Sequence, residues 1–317
     1  VYICIKCYFK ITNRKKMKTA DAHCDTLTAH ENPFTSPEAS WNIDKFSSVN
    51  GALQFMDICA EPDLAGDSAL RFAVRHLGRF WQHKTDKINL LEKSSDFKED
   101  KINVVLALEG ASPVIDEMCN LYAYFRLGIR SIILTWNHRN YIGEGVDGKY
   151  GLTDFGKDFV REMEKLNMLV DVSHLNQAGF DDVVKTAQKP FMASHSNAYS
   201  VYPHKRNLND DQIKEIIARG GFLGINFYSV FIADSDDKIL LTNKFLEHIE
   251  HFLKLGAEDC LGFGSDWDGM DQSPFDDARD YIKIGELLKD RLSLSDEVIQ
   301  KIMHRNLINY TLKMLPQ

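Results

Sequence analysis

The chain has 317 residues, 44% of them hydrophobic and 26% charged, enough to bury the core of one large domain or two small ones. A net charge of −8 argues against a nucleic-acid surface, and the lack of an apolar run of about 18 residues excludes a membrane-spanning helix. Six cysteines between Cys4 and Cys260 are too sparse for a disulfide scaffold and suit a reducing compartment.

Residues 1–16 read as foreign to the rest of the chain: an apolar stretch and then Asn13-Arg14-Lys15-Lys16, the reverse of a secretory signal's order. Met17 reads as a natural start, so residues 1–16 are set aside as a disordered or artefactual extension. Residues 17–317 are taken as one domain. Cys4-x-x-Cys7 has no second pair nearby to make it a metal or redox site.

From Thr19 onward strand-like and helix-like segments alternate. The strand candidates are 19–25, 52–59, 102–109, 131–136, 169–174, 190–195, 221–227 and 260–266. Val104-Val105-Leu106-Ala107-Leu108 is a continuous apolar run, as expected of a parallel strand covered on both faces. Helical spacing connects Leu70, Val74, Leu77 and Trp81; Phe155, Phe159 and Met163; Ile213, Ile216 and Ile217; and Leu246, Ile249, Leu253 and Leu255. Asn209-Asp210-Asp211-Gln212 resembles a helix start, and Gly128, Gly220 and Gly256 fall where helices end. No repeat or linker divides the chain. Eight alternations predict an α/β fold of the (β/α)₈ TIM-barrel type. An open doubly wound sheet is the alternative, but no G-x-G-x-x-G follows the first strand.

In such a barrel the strand C-termini face the catalytic end, and each predicted strand ends on chemistry. His23 and Asp25, two apart in a strand, share a face, with Cys24 opposite. The second run ends at Cys59 and Glu61. Glu109 follows five apolar residues, where a carboxylate must be hydrated, paired or metal-bound. Ser173-His174 and Ser194-His195 close consecutive strands, which brings two imidazoles within reach of one ion. One arrangement uses all five ligands. His23, Asp25 and Glu109 hold one ion, and Glu109, His174 and His195 hold the other. The donors suit Zn²⁺, and Mn²⁺, Co²⁺ or Fe²⁺ would also fit. Two such ions would share a water acidified toward neutral pH.

On the substrate side, Arg206 is a bidentate partner for a carboxylate, Tyr228 a second donor to it, and Asp266 a proton acceptor or an ammonium holder. Asp268 reads as a turn residue.

In order, Asp21-Ala22-His23-Cys24-Asp25, Leu108-Glu109-Gly110, Leu134-Thr135-Trp136-Asn137, Asp171-Val172-Ser173-His174, Ser194-His195-Ser196-Asn197-Ala198, Arg206-Asn207 and Gly264-Ser265-Asp266-Trp267-Asp268-Gly269 resemble the membrane dipeptidase (renal dipeptidase) family. The resemblance spans residues 19–312. It implies a (β/α)₈-type barrel, two Zn²⁺ ions per chain and hydrolysis of dipeptides. A D-residue would be tolerated at the C-terminal position, and some members act on β-lactam or dehydropeptide substrates. The implied ligands are His23, Asp25, Glu109, His174 and His195; the carboxylate-binding residues are Arg206 and Tyr228; the catalytic aspartate is Asp266. In one departure, Trp136 stands where mammalian members carry a histidine that polarises the scissile carbonyl. His138, two residues on, is carried as a substrate-binding candidate. Bacterial relatives resemble this Leu-Thr-Trp-Asn version. With no hydrophobic C-terminal tail for a lipid anchor, the expectation is a soluble, cytoplasmic, bacterial member that binds neither membrane nor nucleic acid. Family members often form homodimers.

The reading is therefore a zinc-dependent dipeptidase acting on L,L- and L,D-dipeptides through a metal-bridged hydroxide, with Glu109 and Asp266 central to catalysis. The alternative is another reaction of the same dinuclear centre, such as N-acyl amino acid deacylation or lactone hydrolysis.

Overall fold

A computed structural model describes residues 17–60 and 64–317. Among these residues lie nine parallel strands: β1 (Thr19–Asp21), β2 (Gly51–Cys59), β3 (Ile88–Leu90), β4 (Ile102–Glu109), β5 (Ile129–Ile133), β6 (Leu169–Asp171), β7 (Met192–Ala193), β8 (Phe222–Ile225) and β9 (Leu261–Phe263). The hydrogen-bonded order β1-β2-β4-β5-β6-β7-β8-β9 follows the chain, which is the order of a (β/α)₈ barrel. The ring closes just past the ends of β9 and β1. There Ala22 N donates to Phe263 O (2.9 Å), Asp25 N donates to Trp267 O (2.8 Å), and Cys24 bridges Trp267.

The eight expected strands are all present, but most are shorter than 19–25, 131–136, 169–174, 190–195, 221–227 and 260–266 suggest. β4 keeps Glu109 in the ladder, paired with Cys59 and Ile133, whereas β1, β6, β7, β8 and β9 stop short of their polar termini. β3 is an addition. It pairs with the first residues of β4 on the edge whose far end pairs with β5.

Alternation along the strands separates two cores. Met56, Ile58, Val104, Leu106, Leu108 and Val170 face the surrounding helices. Leu53, Phe55, Val105, Leu169, Met192 and Phe222 face inward, where Leu307, Tyr310 and Met314 of the terminal helix Asn306–Met314 close the N-terminal end of the barrel. On the same inward face, two-residue steps continue from Phe55 to Asp57, from Val105 to Glu109 and from Leu169 to Asp171. The floor is therefore apolar and the upper end polar.

The helix Asp67–His83 is rotated from its expected face. Val74 and Trp81 are about half exposed; Leu77 is buried as expected, and Ala69, Ala73, His76 and Phe80 are buried beside it. Two small alanines let the helix approach closely, which outweighs the attraction of the larger side chains beside them. Elsewhere the pattern holds. Asn209 caps the helix Asp210–Ala218 with Gln212 completing the box, and Gly128, Gly220 and Gly256 adopt φ of +102°, +67° and +95°. No helix among the described residues is long and apolar enough to cross a membrane. Residues 1–16, with Cys4 and Cys7, and Glu61 lie outside the described residues.

Candidate metal centre and active site

All five expected ligands meet at the C-terminal end of the barrel, and all are buried. His23 Nε2 lies 3.2 Å from Asp25 Oδ2, 3.7 Å from Asp266 Oδ1 and 4.0 Å from Glu109 Oε1. Glu109 Oε1 is 2.9 Å from His174 Nε2 and 3.5 Å from His195 Nε2, and the two Nε2 atoms are themselves 2.9 Å apart. The His23 and His195 rings stack with centroids 3.9 Å apart.

Local structure aims these groups. His174 and Asp266 adopt φ of +68° and +69°, a strained conformation for residues with a Cβ, and each turns its side chain inward as the strand ends. Ser194, just before His195, has its carbonyl pressed between Gly224 and Gly264. A Cβ on either would sit 1.7 or 1.9 Å from that oxygen, so only glycine allows this approach.

The electrostatics suit metal ligation. His174 Nδ1 meets the amide oxygen of Asn137 at 2.8 Å. An amide oxygen only accepts, so the proton sits on Nδ1 and Nε2 keeps its lone pair for the centre. Burial, with Arg206 and His23 nearby, pushes the His174 imidazole well below its ordinary pKa; burial, His23 and Arg206 do the same to His195. Burial pushes Glu109 well up, and the neighbouring Asp25 adds to this. Burial alone would lower His23, but Asp57, Asp25 and Glu109 outweigh it and hold the imidazole well above its usual value. Lone pairs converging within a few ångströms repel one another unless a cation lies between them. Asp25 Oδ1 is, moreover, buried without a hydrogen-bond partner. The residues present fit divalent metal.

Metal affinity should therefore depend on pH. With its pKa raised, metal-free His23 carries a proton near pH 7 that a metal must displace. Affinity is expected to rise with pH until that raised pKa is passed, then level off. Calorimetric titration at pH 7 in buffers of differing ionisation enthalpy should show net proton release on metal binding. An affinity flat with pH would contradict this.

Of the expected substrate residues, Arg206 and Asp266 adjoin this cluster. Arg206 is 4% exposed. It donates from Nη2 to His195 O (3.2 Å) and from Nη1 to Ser196 Oγ (3.4 Å), and its Nε is unpaired. A cavity of about 290 Å³ opens beside it, bordered by His174, Ser196 and Arg206. A larger cavity of about 490 Å³, among Met17, Ile299 and Met303 at the opposite end, holds none of the ligands. Asp266 Oδ2 accepts from Asn226 Nδ2 (2.9 Å), which leaves Oδ1 toward His23. The Tyr228 hydroxyl bonds Asp271, and burial with that bond pushes it up to about 12. His138 stands half exposed with Nδ1 3.1 Å from Asp147 Oδ2, while Trp136 stacks on His174 with centroids 6.0 Å apart.

Sequence reasoning misses the residues behind the ligands. Asp57 Oδ2 lies 3.2 Å from His23 Nδ1, and Ser194 Oγ lies 2.7 Å from His195 Nδ1. A carboxylate at an inward position of the apolar run of β2 is the one signal that points to Asp57. Asp268 does more than form a turn. Its carboxylate accepts from Thr26 Oγ1 (2.5 Å) and from the Ser40 and Trp41 amides (2.6 and 3.3 Å), which ties the loop after β9 to the chain after β1.

A family model described as membrane dipeptidase (peptidase family M19) matches residues 12–313. An uncharacterised Klebsiella pneumoniae protein of the pqqA 5′ region is 34% identical over 205 residues, covering 59% of this chain and 74% of that one. An uncharacterised dipeptidase of Schizosaccharomyces pombe is 30% identical over 216 residues, covering 66% of this chain and about half (52%) of its own length. A metallopeptidase from Rhodobacter sphaeroides, solved with a phosphinate mimic of the dipeptide L-Ala-D-Ala, superposes with a TM-score of 0.85 at 21% identity. That match covers 94% of this chain and 99% of that one.

Proposed function

Because this chain belongs to the membrane dipeptidase family of metallopeptidases, we propose that it hydrolyses dipeptides at the centre formed by His23, Asp25, Glu109, His174 and His195. The observation that carries the reading is the convergence of these five buried ligands beside a buried arginine with an unpaired Nε. Two divalent ions, with Zn²⁺ the best match to the donors, would supply Lewis-acid polarisation of the scissile carbonyl and acidify the attacking water.

The chain's own residues do the rest. Arg206 binds the substrate's free carboxylate, and its burial strengthens that pairing. Tyr228 adds a second donor once its hydroxyl leaves Asp271. Asp266, held at Oδ2 by Asn226, takes a proton at Oδ1 or holds the substrate's ammonium group. A small cavity with both substrate termini anchored limits the substrate to two residues. The mimic bound by the Rhodobacter sphaeroides relative supports extending the reading to L,D-dipeptides.

The test is hydrolysis of a panel of L,L- and L,D-dipeptides, N-acetyl amino acids and lactones, before and after chelation. Dipeptide cleavage lost on chelation and restored by Zn²⁺ is expected. Turnover of only the N-acetyl amino acids or lactones would replace this reading with another amidohydrolase reaction. Chelation should also lower Tm, because metal held at 100 times its Kd stabilises the fold by about 2.7 kcal/mol. A Tm indifferent to chelator would contradict the five-ligand assignment.

A further inference from the structure

The three histidines turn their second ring nitrogens to partners of different charge. Behind His23 stands a carboxylate, Asp57 Oδ2 at 3.2 Å. Behind His174 stands a neutral amide, Asn137 Oδ1 at 2.8 Å, and behind His195 a neutral hydroxyl, Ser194 Oγ at 2.7 Å. Asp171 lies one step behind: its carboxylate bonds the Ser194 hydroxyl, and its Oδ1 accepts from the amides of Ser173 and Ser194 at 2.9 and 3.2 Å, so its charge meets His195 only through that neutral hydroxyl.

The rest of the charge follows the same division. On the His23 side, Asp25 and Asp266 place carboxylate oxygens 3.2 and 3.7 Å from Nε2. On the other side, the Arg206 guanidinium donates to the carbonyl of His195 itself. Glu109 lies between the two and nearer the second, so it contributes one negative charge where the guanidinium contributes one positive. A divalent cation is drawn to the first half by three carboxylates besides Glu109, and is opposed in the second half by a neighbouring cation.

Within the centre Asp57 makes its direct side-chain contact with His23, at 3.2 Å from Nδ1. It sits near the C-terminal end of β2, where its backbone N–H donates to Cys24 O at 2.9 Å, so the strand end carrying His23 is joined to Asp57 by a backbone hydrogen bond and a side-chain ion pair. A carboxylate 3.2 Å from Nδ1 favours the tautomer that keeps its proton on Nδ1, which makes the imidazole a more basic ligand at Nε2.

Resting on the metal-centre reading above, we infer that Asp57 is a positioning residue for His23, and that the centre binds its two metals unequally. The His23–Asp25 half fills first and tightly; the His174–His195 half fills second and weakly.

The experiment reads metal content rather than activity. Protein purified with excess Zn²⁺ is dialysed against a graded series of chelator concentrations, and zinc per chain is measured, with circular dichroism as the check on folding. The wild type should release zinc in two steps separated by at least about tenfold in free zinc. Asp57→Asn should weaken the tighter step by roughly 10–100-fold and leave the weaker in place. His174→Ala should remove the weaker step and keep the tighter. Release of both metals in one step, loss of the tighter step in His174→Ala, or equal movement of both steps in Asp57→Asn would overturn the inference. Should Asp57→Asn fail to fold, the wild type and His174→Ala still decide whether the two halves bind unequally, and Asp57→Glu, which keeps the carboxylate, should leave the tighter step closer to wild type than Asp57→Ala does; equal weakening in both would overturn the role of Asp57. Two equal sites would leave the metal-centre reading standing, whereas no bound zinc at any chelator concentration would overturn both.

Discussion

Glu109→Ala is expected to lower kcat/KM for dipeptide hydrolysis by roughly a thousandfold or more, about 4 kcal/mol of transition-state stabilisation. Glu109 is the carboxylate that reaches both halves of the centre, with Oε1 at 2.9 Å from His174 and 4.0 Å from His23. Removing it would take a ligand from each of the two proposed metals and leave the His174 and His195 nitrogens facing one another without an anion between them. Metal content should fall below two per chain. Glu109→Gln separates charge from shape, since it keeps the volume and loses the negative charge.

The glutamine variant carries a stability prediction of opposite sign. Burial raises the pKa of Glu109 well above its ordinary value, so its ionised form costs the metal-free fold stability at any pH where the unfolded chain would ionise freely. A neutral isostere relieves that cost. Metal-free Glu109→Gln should melt at or above metal-free wild type near pH 7, and should gain little when Zn²⁺ is added. A variant that still turns over at the wild-type rate with two zincs bound would remove Glu109 from the centre.

Arg206→Ala is expected to lower kcat/KM by about 2–4 kcal/mol, the cost of losing one partner of a desolvated charge pair. The loss should appear mostly in KM, because the carboxylate is held in the ground state as well as in the transition state. Arg206→Lys should recover only part of it, since an ammonium cannot present the planar fork of donors. A dipeptide amide, which lacks the free carboxylate, supplies the control. Wild type and Arg206→Ala should hydrolyse it with similar, poor efficiency. Unchanged KM and kcat/KM on ordinary dipeptides would sink the role.

Much of the fold can be read directly from the chain. Continuous apolar runs such as 104–108 mark strands buried on both faces, and eight alternations point to a closed barrel. The five candidate ligands are legible because each stands at or near the end of a strand-like segment, where a polar side chain is placed at the rim rather than in the packed core. Nearness in sequence to the displaced family histidine singles out His138, but the fold turns it to Asp147 at the surface. The buried face of the helix Asp67–His83 is not legible, because hydrophobicity alone ranks Val74 and Trp81 above Ala69 and Ala73. Packing distance, which rewards small residues, is a property of two elements and not of one.

What the sequence by itself determined is the order of the eight barrel strands and which residues are candidate donors, since periodicity and residue chemistry are local. What only the tertiary structure decided is how those donors are aimed and what stands behind them. The left-handed turns at His174 and Asp266, the two glycines flanking the Ser194 carbonyl, and the pairing of Asp57 with His23 join residues far apart in the chain. Such geometry arises when eight strands close into one ring and most buried polar atoms must find their partners inside it. A linear pattern carries no record of which distant residue that partner is.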